Sequence, residues 1–564
     1  MLAVRPLELA KSLLPPHLTW RKREKNPLAG RIMDNGTKAP YFLHKPIELF
    51  RLEEDCLTTF AGFTSRLHSI AARFGVRVEY EDLRTAVVPE PDKSVVGHLR
   101  AGQDRALETI WKSDHGVIVC PTAWGKTEVV AKIVMSYPTL NILVVSPSKP
   151  SVKGLYDRLK SYGVDAGIVD GSRNRQKRVT VCSAMSMKKI DTTKPELLLF
   201  DEVHRSPAKN TRDVLATVIN ARMFGLTASD DGRSDNGEIV TEALFGLPIC
   251  TVEYEEAVAA GSVAPMFVVM MDTRGVDSDV TDATSKTRHM VWRNTPRNED
   301  FATVAEEVSE MGQTLMMTGT IEHALNLRKL LPGWPVVYGS TPKVDDLCKL
   351  PYGDYRMNKV STFLSNEYTR LVAKQVFTQE QWAWVLARAM DGQGDALLEF
   401  CPWMKELDWK SLKDAGNYND WRAGQRSIKV LDTMGKLGVE VLNDRRRADL
   451  ADRFGSGELQ TAIATHTWST AVDFPRLQFI FRTDGLSGKI MSTQIPGRAA
   501  RIHEDKECGI LLDSQDKFND SMARRSKGRE REYRSKKWTI IQAKPCQVAE
   551  ICRNLLTKKL GSSV

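Results

Sequence analysis

Little in this chain belongs to a secreted, membrane-spanning or metal-built protein. Its nine cysteines are scattered over 564 residues with no C-x-x-C pair. That argues against a zinc site or a disulfide framework and for a reducing compartment. Long apolar runs are also missing. The longest clean one, Ala264 to Met271, falls far short of the about 20 residues that span a bilayer. The N-terminal stretch MLAVRPLELAKSLLPP has no apolar block of the kind a signal peptide carries. No membrane partner is expected, and the expected compartment is the cytoplasm. Nor is the chain short of core: 42% of its residues are apolar and 27% charged, ordinary values for a globular protein. Its length predicts about three to four domains.

What charge excess there is lies in two places. The net +9 comes from 80 Lys and Arg against 71 Asp and Glu. Arg21 to Lys25 carries +3, and Lys517 to Trp538, with nine basic and three acidic residues, carries +6. Two local patches on an otherwise balanced chain point to phosphate-bearing partners. The second patch includes Glu530 and Arg534 at the i,i+4 spacing of a helical ion pair.

The periodicity divides the chain. In residues 1–90, Phe63, Leu67, Ile70, Ala71 and Phe74 recur at helical spacing, and Val76, Val78 and Tyr80 then alternate as in a strand. This predicts a small separate α/β unit ending in a linker at Glu90 to Lys93. From 91 to 272, short apolar runs alternate with helices: Val117–Cys120, Ile142–Ser146, Val179–Cys182, Leu197–Phe200 and Met223–Leu226. Such runs predict strands buried on both faces, hence a parallel sheet covered by helices. A second set, Thr314–Met317, Val336–Tyr338, Thr461–Ala464, Phe479–Phe481 and Gly509–Leu512, predicts a second α/β domain over 273–343 and 439–540. Between its halves, 344–438 looks helical and holds Trp382, Trp384, Trp403, Trp409 and Trp421. These residues are expected to be an insertion whose tryptophans build a helical core, with a protein-docking or a DNA role. Residues 541–564 are expected to be a tail.

Two motifs carry chemistry. Pro121-Thr-Ala-Trp-Gly-Lys-Thr127 follows a strand and opens a helix, the context of a phosphate-cradling loop. Thr122, Ala123, Trp124 and Gly125 form its turn, with Cys120 where a first glycine is usual. Lys126 is placed to reach the β- and γ-phosphates, and Thr127 to hold Mg²⁺. About 75 residues on, Leu197-Leu-Leu-Phe-Asp-Glu-Val-His204 is a buried strand ending in two carboxylates. Asp201 can hold Mg²⁺, and Glu202 can orient or deprotonate a water.

Together P-T-x-x-G-K-T and D-E-x-H resemble the superfamily 2 helicases and translocases. The rest of that family's motif series follows in order. Leu99-Arg-Ala-Gly-Gln103 is similar to its adenine-reading glutamine element. Val145-Ser-Pro-Ser-Lys149 and Val181-Cys-Ser-Ala-Met185 resemble strand-contacting motifs, and Gly225-Leu-Thr-Ala-Ser229 resembles motif III. Met317-Thr-Gly-Thr320 looks like motif IV, Ile463 to Asp473 like motif V, and Gln494-Ile-Pro-Gly-Arg-Ala-Ala-Arg501 like motif VI. Ala123, Asp230 and Ala471 depart from the usual residues. The resemblance implies two tandem RecA-like domains and an ATPase using ATP and Mg²⁺. It implies Gln103, Asp473 and Gln494 on the nucleotide. It makes Arg501 an arginine finger supported by Arg498, and puts Ser148, Lys149, Ser183, Thr320 and Thr465 on a nucleic-acid strand.

Phe224 to Ser229, Glu242 to Pro248, Val252 to Ala257 and Gly261-Ser-Val-Ala-Pro265 further resemble the XPB-like and phage UvsW-type DNA helicases. This resemblance implies a DNA-binding N-terminal unit and the remodelling of branched DNA: fork regression, branch migration and R-loop unwinding in replication, recombination or repair. A phage-encoded chain would act in the host cytoplasm. The alternatives are an RNA helicase, the motor subunit of a restriction or defence complex, and a scaffold with a degenerate motor. Motif II reads D-E-V-H where RNA helicases favour D-E-A-D, and no nuclease constellation is present.

Overall fold

Strands without polar alternation have no face to show to water, so they pair in the middle of sheets. The computed structural model describes residues 1–26, 39–84, 88–95, 97–228, 235–280, 282–371, 411, 414–469, 474–487 and 496–557. In it, Val179–Ser183, Ile142–Ser146, Leu197–Asp201, Arg222–Thr227 and His115–Val119 lie side by side in that order. Ala166–Val169 and then Asn174–Arg175 flank the first, and Pro248–Thr251 flanks the last. All neighbours are parallel except at the Asn174–Arg175 edge.

A second sheet of seven parallel strands runs Val336–Val337, Thr461–Ala464, Thr314–Met317, Phe479–Arg482, Gly509–Ser514, Met266–Met271, Thr539–Ala543. The chain is therefore α/β, with two parallel-sheet domains in tandem. No helix among the described residues is long and apolar enough to cross a membrane.

Two expected boundaries shift. Met266–Met271 does not close the first domain, as an end at 272 requires. Val268 pairs with Leu511 on one side and Ile540 on the other, which puts the strand inside the second sheet. The first sheet is already closed by Pro248–Thr251, so the chain crosses between domains before Met266. Nor does a tail begin at 541. Thr539–Ala543 is the sheet's edge strand, and Val548, Ala549 and Cys552 of the helix Pro545–Thr557 are buried. That helix packs against Thr295–Ser309.

The N-terminal unit is a four-stranded antiparallel sheet, ordered Phe50–Leu52, Leu57–Thr59, Leu2–Arg5, Glu79–Asp82, with a two-stranded ribbon of Thr19–Lys25 and Phe42–Glu48. The expected helix is present as Thr64–Phe74, stopped by Gly75 in the left-handed conformation. The following strand starts later than the alternation predicts, at Glu79. The unit is not separate. Phe63, Leu67 and Trp20 share a core with Val240 and Phe245 of the first domain. Arg66 pairs with Glu242, Nε to Oε1 at 2.8 Å. Gly62 lies so close to the helix Glu238–Phe245 that a Cβ would sit 2.6 Å from the Ala243 carbonyl.

In the insertion, the helices Tyr352–Leu371 and Tyr418–Lys436 flank residues outside the described set, among them Trp382, Trp384, Trp403 and Trp409. Trp421 is a packing residue. Its Nε1 donates to the Leu350 carbonyl at 3.0 Å and its ring lies against Tyr352 and Tyr418.

Candidate functional site: a cleft between the two sheets

Ligands of parallel α/β sheets bind beyond the carboxyl ends of the strands. There, the strand His115–Val119 leads through Cys120 into the turn 121–125 and the helix Lys126–Ser136. Ala123 and Gly125 take φ of +73° and +105°, which turns the chain sharply enough to present main-chain N–H groups. Cys120 is buried, its N–H bonded to the Thr227 carbonyl at 3.0 Å. Burial pushes its thiol up to about 12, so it is inert at neutral pH.

Two residues that motif position puts on the nucleotide have their polar groups engaged within the protein. Trp124 is fully buried and its Nε1 donates to the Ala101 carbonyl at 3.3 Å, so its indole packs beneath the loop. Gln103 is committed at both ends of its amide. Oε1 accepts from the Arg100 N–H at 3.0 Å, and Nε2 donates to the Trp124 carbonyl at 3.1 Å. In this structure it braces the loop.

Leu197–Asp201 is separated from the loop's own strand only by Arg222–Thr227, which brings the carboxylates to the lysine. Lys126 Nζ lies 2.9 Å from Glu202 Oε1. The Ser146 hydroxyl donates to Asp201 Oδ2 at 3.2 Å. His204 Nδ1 is 3.4 Å from Glu202 Oε2 and 3.2 Å from Thr227 Oγ1, linking the acid to the end of the neighbouring strand. Glu202 itself has φ +56°. Burial works to lower the Lys126 pKa, but Glu202 and then Asp201 outweigh it and hold the ammonium charged. Burial, helped by Glu202, raises Asp201. Burial would raise Glu202 too, yet Lys126 and His204 hold it low.

The opposite wall comes from the second domain. A cleft of about 850 Å³ is lined by Gln103, Thr122, Ala123, Gly125, Lys126, Thr127, Asp201 and Glu202 on one side and by Pro475, Arg498 and Arg501 on the other. Burial lowers both arginines to about 10, which leaves them cationic at neutral pH. The Ala264 N–H bonds to the Ala500 carbonyl at 2.8 Å and ties this turn to the inter-domain crossing. Gly497 rests on Thr122, where a Cβ would come within 2.6 Å of the threonine Cβ.

Sequence reasoning missed four contributors. Arg100, Arg158 and Arg205 also line the cleft, and Ser146 holds Asp201. Ser146 carried a signal, as the polar last residue of an apolar run beside the acidic strand. The arginines carried none, because the side that an arginine faces is set by tertiary structure. Six cationic residues against Asp201, Glu202 and Glu128 suit a polyphosphate with a divalent ion near Thr127 and Asp201. The donor set thus fits ATP and Mg²⁺.

The expected strand-contacting residues are present but already engaged. Ser148 and Thr320 cap the helices Lys149–Ser161 and Ile321–Leu330. Ser183 donates to Ser186 Oγ at 2.8 Å, and Thr465 shares a 3.2 Å contact with Thr467. Lys149 is exposed. Asp473 and Gln494, with Asp230 and Ala471, lie outside the described residues. The C-terminal basic run is only half a surface. In the helix Asp520–Ser535, Arg529 is fully buried with both arms on Asp513 at 2.8 Å, and Tyr533 donates to the same carboxylate at 2.7 Å. Arg524, Lys527, Arg531 and Arg534 face out, with Arg534 on Glu530 at 2.6 Å as their spacing predicts.

The family model described as "Type III restriction enzyme, res subunit" matches residues 97–229, the span from the loop-bracing glutamine through the acidic strand to motif III. Over these residues the chain is similar to the superfamily 2 helicases. It is 33% identical over 144 residues to the DNA 3'-5' translocase XPB2 of Sulfurisphaera tokodaii, covering 24% of this chain and 33% of that protein. It is 26% identical over 184 residues to the DNA 3'-5' helicase XPB of Kineococcus radiotolerans, covering 30% and 32%. The chain thus spans about a third of the length of the curated relatives it matches. Among solved structures, T4 UvsW is 12% identical with a TM-score of 0.33, covering 94% of each chain. S. cerevisiae Dbp5 bound to RNA and ADP BeF3 is 10% identical with a TM-score of 0.47, covering 81% of this chain and 94% of that one.

Proposed function

We propose that this chain is an ATP-dependent DNA helicase or translocase that remodels branched DNA. One observation carries the ATPase reading: Lys126, Asp201 and Glu202 from one sheet and Arg498 and Arg501 from the other line a single cleft. Phosphoryl transfer needs little covalent help from protein, but it needs fixed positive charge where negative charge moves. Bound ATP with Mg²⁺ supplies the cleavable phosphoanhydride and the divalent charge.

The chain's own residues do the rest. Lys126 exchanges its Glu202 partner for phosphate oxygens, and the carboxylate it leaves is then able to take the proton of an attacking water. Thr127 and Asp201 hold the metal, with Ser146 orienting Asp201. Arg501, supported by Arg498, is the finger, a role worth roughly 10³–10⁵ in rate. Both arginines stand on the second domain, so hydrolysis depends on closure. His204 and Thr227 carry the state of Glu202 to the strand Arg222–Thr227. Asp473 and Gln494 belong to the nucleotide side by motif position.

Ser148, Lys149, Ser183, Thr320 and Thr465 mark the strand path, where contacts to phosphate and sugar give little sequence preference and strong salt dependence. The DNA assignment draws on the two XPB relatives. The exposed N-terminal ribbon supports it, with Tyr41 and Phe42 in the open and the Arg23 guanidinium 3.7 Å over the Phe42 ring. Branched-DNA remodelling rests on the resemblance of the segments around 224–265 to the UvsW type.

Arg501→Ala should reduce DNA-stimulated ATP turnover about 10³-fold, measured as phosphate release. Turnover at the wild-type level would remove the finger assignment. Strand displacement is then compared on single strands, forks, four-way junctions and R-loops. Equal low activity on every branched form leaves a translocase without the branched preference, and greater stimulation by RNA than by DNA favours the RNA helicase.

A further inference from the structure

The helix Ile321–Leu330 begins at Thr320 and carries Glu322, Leu325, Asn326 and Lys329 at i, i+3, i+4 and i+7, so they share one face. Opposite that face stands the insertion helix Tyr418–Lys436. Between them, and floored by the segment around Arg288 to Asn298, lies a groove of about 370 Å³ that shares no lining residue with the nucleotide cleft.

Five cations line this groove: Arg288, Arg293, Lys329, Arg426 and Lys429. One carboxylate, Glu322, answers them. It accepts from Arg288 at 2.7 and 2.9 Å and from Arg293 at 2.6 Å, which leaves further N–H groups on both guanidiniums. Among the described residues no carboxylate pairs with Lys329, Arg426 or Lys429, and all three side chains are exposed. Five like charges around one small groove repel each other unless an anion joins them. The cations also come from three separate segments, so no single amphipathic pattern explains the cluster.

We propose that this groove binds the phosphodiester backbone of a DNA strand, with the insertion forming one wall of the strand path. From Glu322 to Lys329 the groove follows about 10 Å of helix, the length of about three successive phosphates at roughly 3.4 Å of rise each. Its N-terminal end adjoins Thr320, the motif IV residue already placed on the strand path, so the groove extends a path the motor itself defines. Arg288 and Arg293, tethered by Glu322, are fixed donors, while Arg426 and Lys429 arrive on the insertion. The inference rests on the reading of the chain as a DNA motor.

The test uses the full chain and a fluorescein-labelled forked duplex, with affinity measured from 50 to 300 mM KCl. Arg426→Glu/Lys429→Glu changes two exposed residues. Its expected signature is a salt slope shallower by about two, with affinity down at least about tenfold at 100 mM. The charge-keeping swap Arg426→Lys/Lys429→Arg should hold the wild-type slope. Lys436→Glu, on the same helix outside the groove, should also leave it unchanged. An unchanged slope in the charge-reversal variant overturns the groove, even if its affinity falls, because a loss without counterion release is a folding effect. Equal loss in the Lys436→Glu control overturns it as well. Binding of an acidic peptide in preference to the fork assigns the groove to a protein partner and likewise overturns the proposal. If the wild-type chain binds no DNA at all, it is the DNA-motor reading that fails.

Discussion

Ala123 occupies a backbone conformation that suits glycine, with φ at +73°. A left-handed L-residue costs roughly 1–2 kcal/mol, and a glycine's extra backbone entropy returns about 0.5–1 kcal/mol of that. Ala123→Gly should therefore stabilise the first domain by up to about 1 kcal/mol, read as a higher urea midpoint at unchanged slope. ATP turnover should persist, since no side-chain atom beyond Cβ is lost. A lower midpoint would mean that the Cβ contributes packing worth more than the strain. The departure from the usual glycine was legible in the sequence, but its conformation was not, because backbone φ depends on what the turn must reach. The same holds for Lys126 and Glu202. Their residue types pointed to a phosphate site, while their mutual 2.9 Å contact needed the strand order that separates their strands by a single strand.

At the scale of elements, strands read well where both faces are buried, since a run such as Leu197–Phe200 has no other stable use. Sheet membership read less well. Met266–Met271 is most of the longest clean apolar run of the chain, yet nothing local says which sheet takes it. That is decided by pairing with Gly509–Ser514, more than 200 residues on. Charge runs mislead for a related reason: Arg529 counts toward a basic surface in the sequence and is spent on Asp513 in the fold. The helix Ile321–Leu330 contains a buried group with a measurable consequence. His323 is fully buried, its Nε2 3.2 Å from Asn298 Oδ1. Burial, then Arg297, lowers its pKa to about 3, against a smaller opposing pull from Asp484. Below the ordinary histidine value near 6.5, the unfolded chain takes up a proton that the folded one refuses. The histidine's contribution is therefore intact above about pH 6.5 and lost as pH falls toward 3, at about 1.4 kcal/mol per pH unit. His323→Gln should show a shallower fall in urea stability between pH 7 and pH 5 than wild type. Parallel falls would mean that other groups set the acid limit.

Across the whole molecule, the proposed function depends on an interface that no single domain contains. The lysine and acids belong to one sheet and the arginines to the other, so what positions Arg498 and Arg501 is the approach of the two domains. Gly497 sits at the point of contact. Its backbone lies against Thr122 so closely that a Cβ would stand 2.6 Å from Cβ and 2.9 Å from both Cγ2 and Oγ1. Gly497→Ala cannot be absorbed by a flexible side-chain tip, because the nearest atom is the threonine's own Cβ, and one wall must retreat. A displacement on the order of 1 Å at a reacting centre can cost about 10²-fold in rate. The variant should lose ten- to a hundredfold of DNA-stimulated ATP turnover, by roughly that reasoning. Nucleotide affinity, dominated by the loop and Lys126 on the first domain, should change much less, and the melting temperature little, since the three atoms nearest the added methyl all belong to Thr122 of the other domain. Adding Thr122→Gly removes the opposing atoms and should restore part of the turnover. Recovery in the double variant separates a closure defect from a local defect in the arginine turn. A double variant no faster than Gly497→Ala alone would show that closure is set elsewhere, by the ties between Ala264 and Ala500 at the crossing between the domains.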